Sequence, residues 1–170
     1  YGGAYGHSRY RVASGRCVVS GLIKSGHWGL LAQLPSHCRP SKRLIFNLNN
    51  HQYSSRVDVL TNGQIHFVAG GRSHGWISLT GIVFSVRGTR QRNIHLASGW
   101  RSYCGHYGTA THSNIGGLCV VEGLVRSGRH GHMGTLSLCR PRGRLIFSVN
   151  NHQYTTRMDI LKNGQIHWVA

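Results

Sequence analysis

The chain has 170 residues, with 20 Lys plus Arg against three acids, for a formal net charge of +17. Three carboxylates leave little for paired-carboxylate catalysis, and no apolar window is long enough for a membrane-spanning helix. A charge this high in a short chain repels itself and is offset by a polyanionic partner.

In chain order, the opening YGGAYGHSRYR is rich in Gly, Tyr and Arg and reads as an N-terminal strand or a stacking surface. CVVSGLI at 17–23 is a short β-branched strand, and the second cysteine precedes an Arg-Pro, Cys38-Arg39-Pro40. LIFNLN at 44–49 alternates large apolar residues with Asn. RVDVL at 56–60 and QIHFVA at 64–69 flank Asn62-Gly63, a strong hairpin signal. Period two sends Val57, Val59, Ile65 and Phe67 to the core, and Arg56, Asp58, Gln64 and His66 outward. WISLTGIVFSV at 76–86 is one strand with a Gly bulge, or two short strands. RGTRQRNIHLASGWRS at 87–102 carries four arginines and no acid, and reads as a basic linker or an arm that wraps a neighbour. No stretch sustains a helical period.

The text then repeats. LIFNLNNHQYSSRVDVLTNGQIHFVA at 44–69 returns at 145–170 as LIFSVNNHQYTTRMDILKNGQIHWVA. CVVSGLIKSG at Cys17 returns as CVVEGLVRSG at Cys119, and Cys38-Arg-Pro as Cys139-Arg-Pro. The expected organisation is therefore two tandem all-β units of jelly-roll-like sandwich type. Residues 1–86 form the first, 87–102 a basic linker, and 103–170 the second, which lacks its closing strand. A unit ending at Ala170 would leave an open sheet edge, to be filled by 1–12 or by a neighbour, unless the chain is trimmed. Tyr1 is not a nascent start, so the lack of a signal peptide says nothing against secretion.

Each unit carries one cysteine pair at equivalent sites, which predicts disulfides Cys17–Cys38 and Cys119–Cys139, with buried free thiols as the alternative. Closing a loop of this length is worth about 3 kcal/mol. Cys104 has no counterpart, since Gly2 stands at its equivalent. It is expected to form an intermolecular bridge or to be a buried thiol. Asp58 and Asp159 each follow an Arg by two residues and so share a strand face with it. That placement suits a structural ion pair, with ligand or metal binding as the alternative.

The pattern lacks a nucleophile elbow, a protease-type Cys-His setting and a phosphate-cradling Gly loop, so a non-enzymatic protein is expected, with no cofactor and no metal site. His130-Gly131-His132 reads as a solvated pair open to adventitious metal, with a physiological metal site as the lesser alternative. Polyanion binding is the strongest chemical expectation. Its candidates are Arg39, Lys42 and Arg43 beside the first cysteine loop, Arg140, Arg142 and Arg144 beside the second, and Arg87, Arg90 and Arg92 of the linker. The guanidinium fork suits planar and tetrahedral oxyanions. A possible glycan loop, Asn49, Asn50, His51 and Tyr53, recurs as Asn150, Asn151, His152 and Tyr154; the alternative is an Asn-rich bend whose amides serve their own backbone.

Leu34-Pro35, Arg39-Pro40, Asn62-Gly63 and the closing Trp76, Ser78, Leu79, Gly81, Ile82 and Phe84 resemble a small β-sandwich module of phage-type tail fibres and extracellular proteins. The second unit departs from it at Leu136-Ser137 and in the missing closing strand. The Tyr, Gly, His and Arg bias resembles the silica-associated axial-filament proteins of glass sponges. These resemblances imply attachment and self-association. The expectation is a secreted, extracellular structural protein that self-assembles and scaffolds silica deposition, with a lectin or sulfated-glycan-binding module as the alternative. Its expected partners are silica or another polyanion and copies of itself in a homo-oligomer or filament, with no membrane.

Overall fold

A computed structural model describes residues 1–24 and 26–169. Ser25 and Ala170 lie outside the described residues, and so does the expectation placed on an open end at Ala170. The chain divides into two compact units, Tyr1–Thr89 with Asn150–Thr155, and Arg90–Val149 with the residues from Thr156 on. Both units are built of antiparallel sheets, and the only helical pieces among the described residues are the short 3-10 turns Gly3–Tyr5 and Gly105–Tyr107.

The first unit holds strands β1 (Arg9–Ala13), β2 (Arg16–Ser20), β3 (Leu22–Lys24), β4 (Leu30–Gln33), β5 (Leu44–Asn50), β6 (Tyr53–Val59), β7 (Gln64–Gly70), β8 (Trp76–Ser78) and β9 (Ile82–Ser85). They form a four-stranded sheet in the order β4-β7-β6-β5, a three-stranded sheet β1-β2-β9, and the pair β3-β8. The WISLTGIVFSV segment is thus two strands in two different sheets. Apolar residues of all three sheets meet in one core, with Val19, Ile82 and Phe84 against Leu44, Leu48, Val57, Val59 and Ile65, and Ile77 beside them. The expected register holds for Val57, Val59 and Ile65, which have no exposed surface, while Phe67 is half-buried under Trp28.

The Asn-Gly hairpins form in both units. Between β6 and β7, Gly63 donates to the Leu60 carbonyl and Gln64 N–H donates to Asn62 Oδ1 at 3.0 Å. Gly63 has φ +89°, and a Cβ there would lie 2.5 Å from the Leu34 carbonyl oxygen. Only glycine meets both conditions, and Gly164 repeats the situation at φ +85°.

The second unit holds β10 (Arg92–Asn93), β11 (His95–Leu96), β12 (Arg101–Ser102), β13 (Thr111–Ile115), β14 (Leu118–Glu122), β15 (Val125–Arg126), β16 (Gly131–Thr135), β17 (Leu145–Asn151), β18 (Tyr154–Ile160) and β19 (Gln165–Trp168). The sheet orders are β11-β16-β19-β18-β17, β10-β13-β14 and β12-β15. The stretch 87–102, read from sequence as a basic linker or an arm, supplies β10, β11 and β12. The pair β12-β15 stands where β8-β3 stands in the first unit. Ile94 and Trp100 of this stretch also pack on the core of Met133, Leu136, Cys139, Ile160 and Ile166. The N-terminal strand β1 pairs with β2 of its own unit, so it does not fill the second. Nothing in the second unit corresponds to β9 among the described residues. There Leu145, Ile146 and Phe147 are 45, 62 and 40% exposed, whereas Leu44, the counterpart of Leu145, is 4% exposed and Ile45 and Phe46 are half-buried.

Both expected disulfides are present. Cys17–Cys38 and Cys119–Cys139 span Cα distances of 5.5 and 5.8 Å and tie each loop to the strand beside it. The expected partners need correction at this point. Both bridges close within the chain, so these four cysteines supply no covalent link for a homo-oligomer or filament, and no feature of the pairing singles out silica. Cys104 is a free, exposed thiol, neither bridged nor buried. Its backbone holds φ +64° where the first unit has Gly2 at +79°, a conformation uncommon for a side-chain-bearing residue.

Candidate anion-binding surface

All three acidic side chains are withdrawn from solvent. Asp58 and Asp159 have no exposed surface and Glu122 is 8% exposed. Period two sends Asp58 to the outer face of its sheet, but guanidinium groups close over it. Arg56 Nε and Nη2 donate to its two oxygens at 2.8 and 2.9 Å, and Arg43 Nε donates to Oδ2 at 2.6 Å. The second unit repeats the cluster. Arg157 Nε and Nη2 donate to Asp159 at 2.9 Å each, and Arg144 donates at 2.6 Å. The hydrogen bonds from Arg157, joined by Arg144, hold the Asp159 carboxyl down at about 2 against the opposing effect of burial, and the Arg157 guanidinium is raised in turn. Glu122 accepts from Gln91 Nε2 at 2.5 Å, and Gln91 Oε1 accepts from Thr111 Oγ1.

The ion-pair reading of the Arg-x-Asp pattern is therefore the arrangement found. The second arginine of each cluster was not assigned this role from sequence. A usable signal existed, because Arg43 and Arg144 each lie 15 residues before their aspartate. Each also sits just before a strand that pairs with the aspartate's own strand.

The nine polyanion candidates separate on this basis. Arg43 and Arg144 are held by the aspartates, and Lys42 is buried. Arg39 is half-buried, with Nε 3.5 Å from the Leu34 carbonyl, and its own carbonyl accepts from the Arg87 backbone N–H at 2.8 Å. Arg87 is exposed and donates to the Thr61 carbonyl at 3.3 Å. Arg90, Arg92, Arg140 and Arg142 are exposed. Arg92 lies on β10 opposite His112.

One juxtaposition was not legible in the sequence. Arg101 of β12 stands directly opposite Arg126 of β15, and both are exposed. The Arg126 guanidinium also lies over the Tyr103 ring at 5.6 Å. Like charges directly opposed across a strand pair are destabilising unless an anion bridges them. Pairing of two-residue strands leaves no periodic signal to read.

The candidate glycan loop is a tight hairpin tip. Asn49 and Asn50 end β5, His51 turns at φ +61°, and Tyr53 opens β6. The Asn49 amide donates to the His51 carbonyl, and the Asn50 amide donates to the carbonyls of His74 and Trp76. Asn50 Oδ1 accepts from His74 N–H. These amides serve the backbone. In the second unit Asn150 repeats the bond to His152, whereas Asn151, His152 and Tyr154 are exposed. His130 packs at the edge of Trp168, and His132 bonds within its own strand to Gly134 and Thr135. Among the described residues no three His, Cys, Asp or Glu side chains gather closely enough to hold a metal ion, and no helix is long and apolar enough to cross a membrane.

Buried His112 is a different kind of polar centre. Its Nε2 accepts from the backbone N–H groups of Ser137 and Leu138 at 3.1 and 3.2 Å. Burial, with the nearby Arg92 charge adding to it, pushes its pKa below the usual 6.5. A neutral imidazole thus caps the loop that carries Cys139.

Compared with known proteins, the chain matches no family model, no curated protein and no solved structure.

Proposed function

We propose that this chain is a non-enzymatic, secreted structural protein that binds densely anionic polymers or surfaces through exposed arginine. The observation that carries the reading is the distribution of charge. Every acidic side chain is buried, and the solvent-facing charged side chains described in both units are cationic. Such a surface has one sign of potential and attracts polyanions at long range. The opposed Arg101 and Arg126 add a local place where an anion relieves repulsion. Two disulfides suit an oxidising compartment and hold the arginine-bearing loops on a fixed base. In this reading each unit is a small sandwich of two main sheets, displaying charge rather than enclosing a reaction.

The test is retention on heparin and adsorption to colloidal silica, each at two salt concentrations. Binding to both should fall steeply as salt rises, with a log–log slope set by the number of contacts broken. Binding that does not respond to salt, or no binding to either probe at low salt, overturns the reading.

A further inference from the structure

His112 sits on β13 with no exposed surface, and its ring reaches the turn at 137–138. The N–H groups of Ser137 and Leu138 both donate to Nε2, and the Ser137 hydroxyl lies 3.1 Å from the same atom. A ring nitrogen that accepts carries no proton, so the single N–H of the neutral imidazole is on Nδ1. A second proton can go only to Nε2. There it would turn the acceptor into a donor aimed at two backbone donors, and would leave both N–H groups unsatisfied.

The charge that acts on the ring opposes such a proton. Arg92 of β10 stands opposite His112 and is a like charge to an imidazolium. Across β14 the opposite residue is Val121, and the turn itself brings Ser137 and Leu138, none of which titrates. Glu122, one step along β14, pairs with Thr111 and accepts from Gln91.

The turn lies between two fixed points. Before it, the Leu136 N–H donates to the Gly164 carbonyl at 2.9 Å, and after it Cys139 is tied to Cys119. Between these anchors the turn is fastened to β13 by His112 and by the Asn114 amide, which donates to the Leu138 carbonyl at 3.0 Å. The first unit is built differently. Its register puts Tyr10 where His112 stands, and its cysteine loop puts His37 where Leu138 stands. Both are exposed, with ring centroids 5.6 Å apart, and the Cys38 N–H donates to the Pro35 carbonyl. Among the described residues, two backbone N–H groups rest on an imidazole in the second unit alone.

We propose that His112 is an acid-released latch: a proton on Nε2 detaches the turn at 137–138 from β13, while both anchors and the rest of the second unit stay in place. Detachment returns the ring to an ordinary imidazole, so the open turn binds the proton more tightly than the closed one. The closed turn is favoured above about 6.5 and loses ground as pH falls below it, by up to tenfold per pH unit for one proton. The exposed Arg140 and Arg142 follow the turn directly, so the change occurs at the base of that basic segment. The latch stands on the geometry of the turn and not on what those arginines bind.

Amide hydrogen exchange on the full chain, from about pH 7.5 to about pH 5 and corrected for the intrinsic pH dependence of exchange, reads the latch at single residues. Protection of Ser137 and Leu138 should be flat above about 6.5 and fall by roughly tenfold per pH unit below it. At every pH it should stay below the protection of the β13–β14 ladder. His112→Gln keeps an acceptor but does not titrate, so in that variant the fall should vanish. The Cys38 amide, which has no imidazole partner, should show no fall. Unchanged protection of Ser137 and Leu138 down to about pH 5 overturns the proposal, as does a fall that persists in folded His112→Gln. Protection equal to that of the ladder would mean that the whole unit opens, and overturns it too. If the variant does not fold, the native chain decides by comparison of the turn with the ladder and with Cys38. A parallel fall at Cys38 then rejects the latch.

Discussion

Asp58 and Asp159 are the residues on which the outer sheet faces turn. Each carboxylate is closed off from water and pairs with two guanidinium groups, whose own side chains keep part of their surface exposed. Breaking a buried pair by removing one partner leaves the others uncompensated, a larger loss than the net worth of the pair. Asp58→Ala should therefore lower the stability of the first unit by about 3 kcal/mol or more. Chemical denaturation of the variant, followed by tryptophan fluorescence, would measure it. A loss below 1 kcal/mol would mean that the arginines find water easily and that the cluster is not structural.

Two groups give the second unit an acid response with separate windows. The His112 pKa is lowered, so the unfolded chain takes up its proton first. The stability this group confers is complete above 6.5 and is lost as pH falls below it. Asp159 is also lowered, from 3.8 to about 2, so its contribution is present above 3.8 and is lost between 3.8 and 2. Thermal melts against pH should show the second unit weakening first below 6.5 and again below 4. His112→Asn should flatten the upper limb and leave the lower one. An unchanged upper limb in that variant would assign it to another group.

At the level of elements, the two disulfides and the Asn-Gly hairpins fix the frame of each unit. Replacing Cys17 and Cys38 together by Ser should cost about 3 kcal/mol, the value for a loop of this length. Calorimetry should show the first-unit transition moving down while the second stays in place. Coincident movement of both would mean that the units unfold as one. The hairpins were legible because their turn chemistry is local: Gly63 and Gly164 adopt backbone angles that the sequence announces. The strands of 90–102 were not legible. Two-residue strands have no period, and a run of arginines looks the same whether it is solvated or paired. What sets them in place is contact at a distance, Arg92 with His112, His95 with Thr135 and Arg101 with Arg126. For the same reason 76–86, continuous as text, divides between two sheets at Thr80-Gly81.

At the scale of the whole molecule, charge is the property that composition and structure express together. A net charge of +17 is carried with every acidic side chain buried. The Arg101–Arg126 opposition should therefore lower stability and raise affinity for anions. Replacing both by Gln should stabilise the second unit by roughly 0.5 kcal/mol. The same change should reduce the salt slope of heparin binding by about 1–2. An unchanged slope would remove this pair from the anion surface and leave the remaining exposed arginines to carry it.

The sequence by itself determined what depends on neighbours in the chain or on its own repetition. This includes the all-β class, the doubled framework, the hairpin turns, the inward faces of β6 and β7, the cysteine pairs and the sign of the surface. Tertiary structure decided which charges are spent and which spaces are filled. Arg43 and Lys42 look like ligands in the text, yet one is drawn onto Asp58 and the other is buried, because β5 and β6 pair there. Trp76 and Trp100 align in the repeat, yet Trp76 packs beside His51 and His74 whereas Trp100 packs on Trp168, because the short strands that carry them pair one residue out of step. Local propensity reports the backbone's preferences, whereas occupancy of space and pairing of charge depend on residues brought together from far apart in the chain.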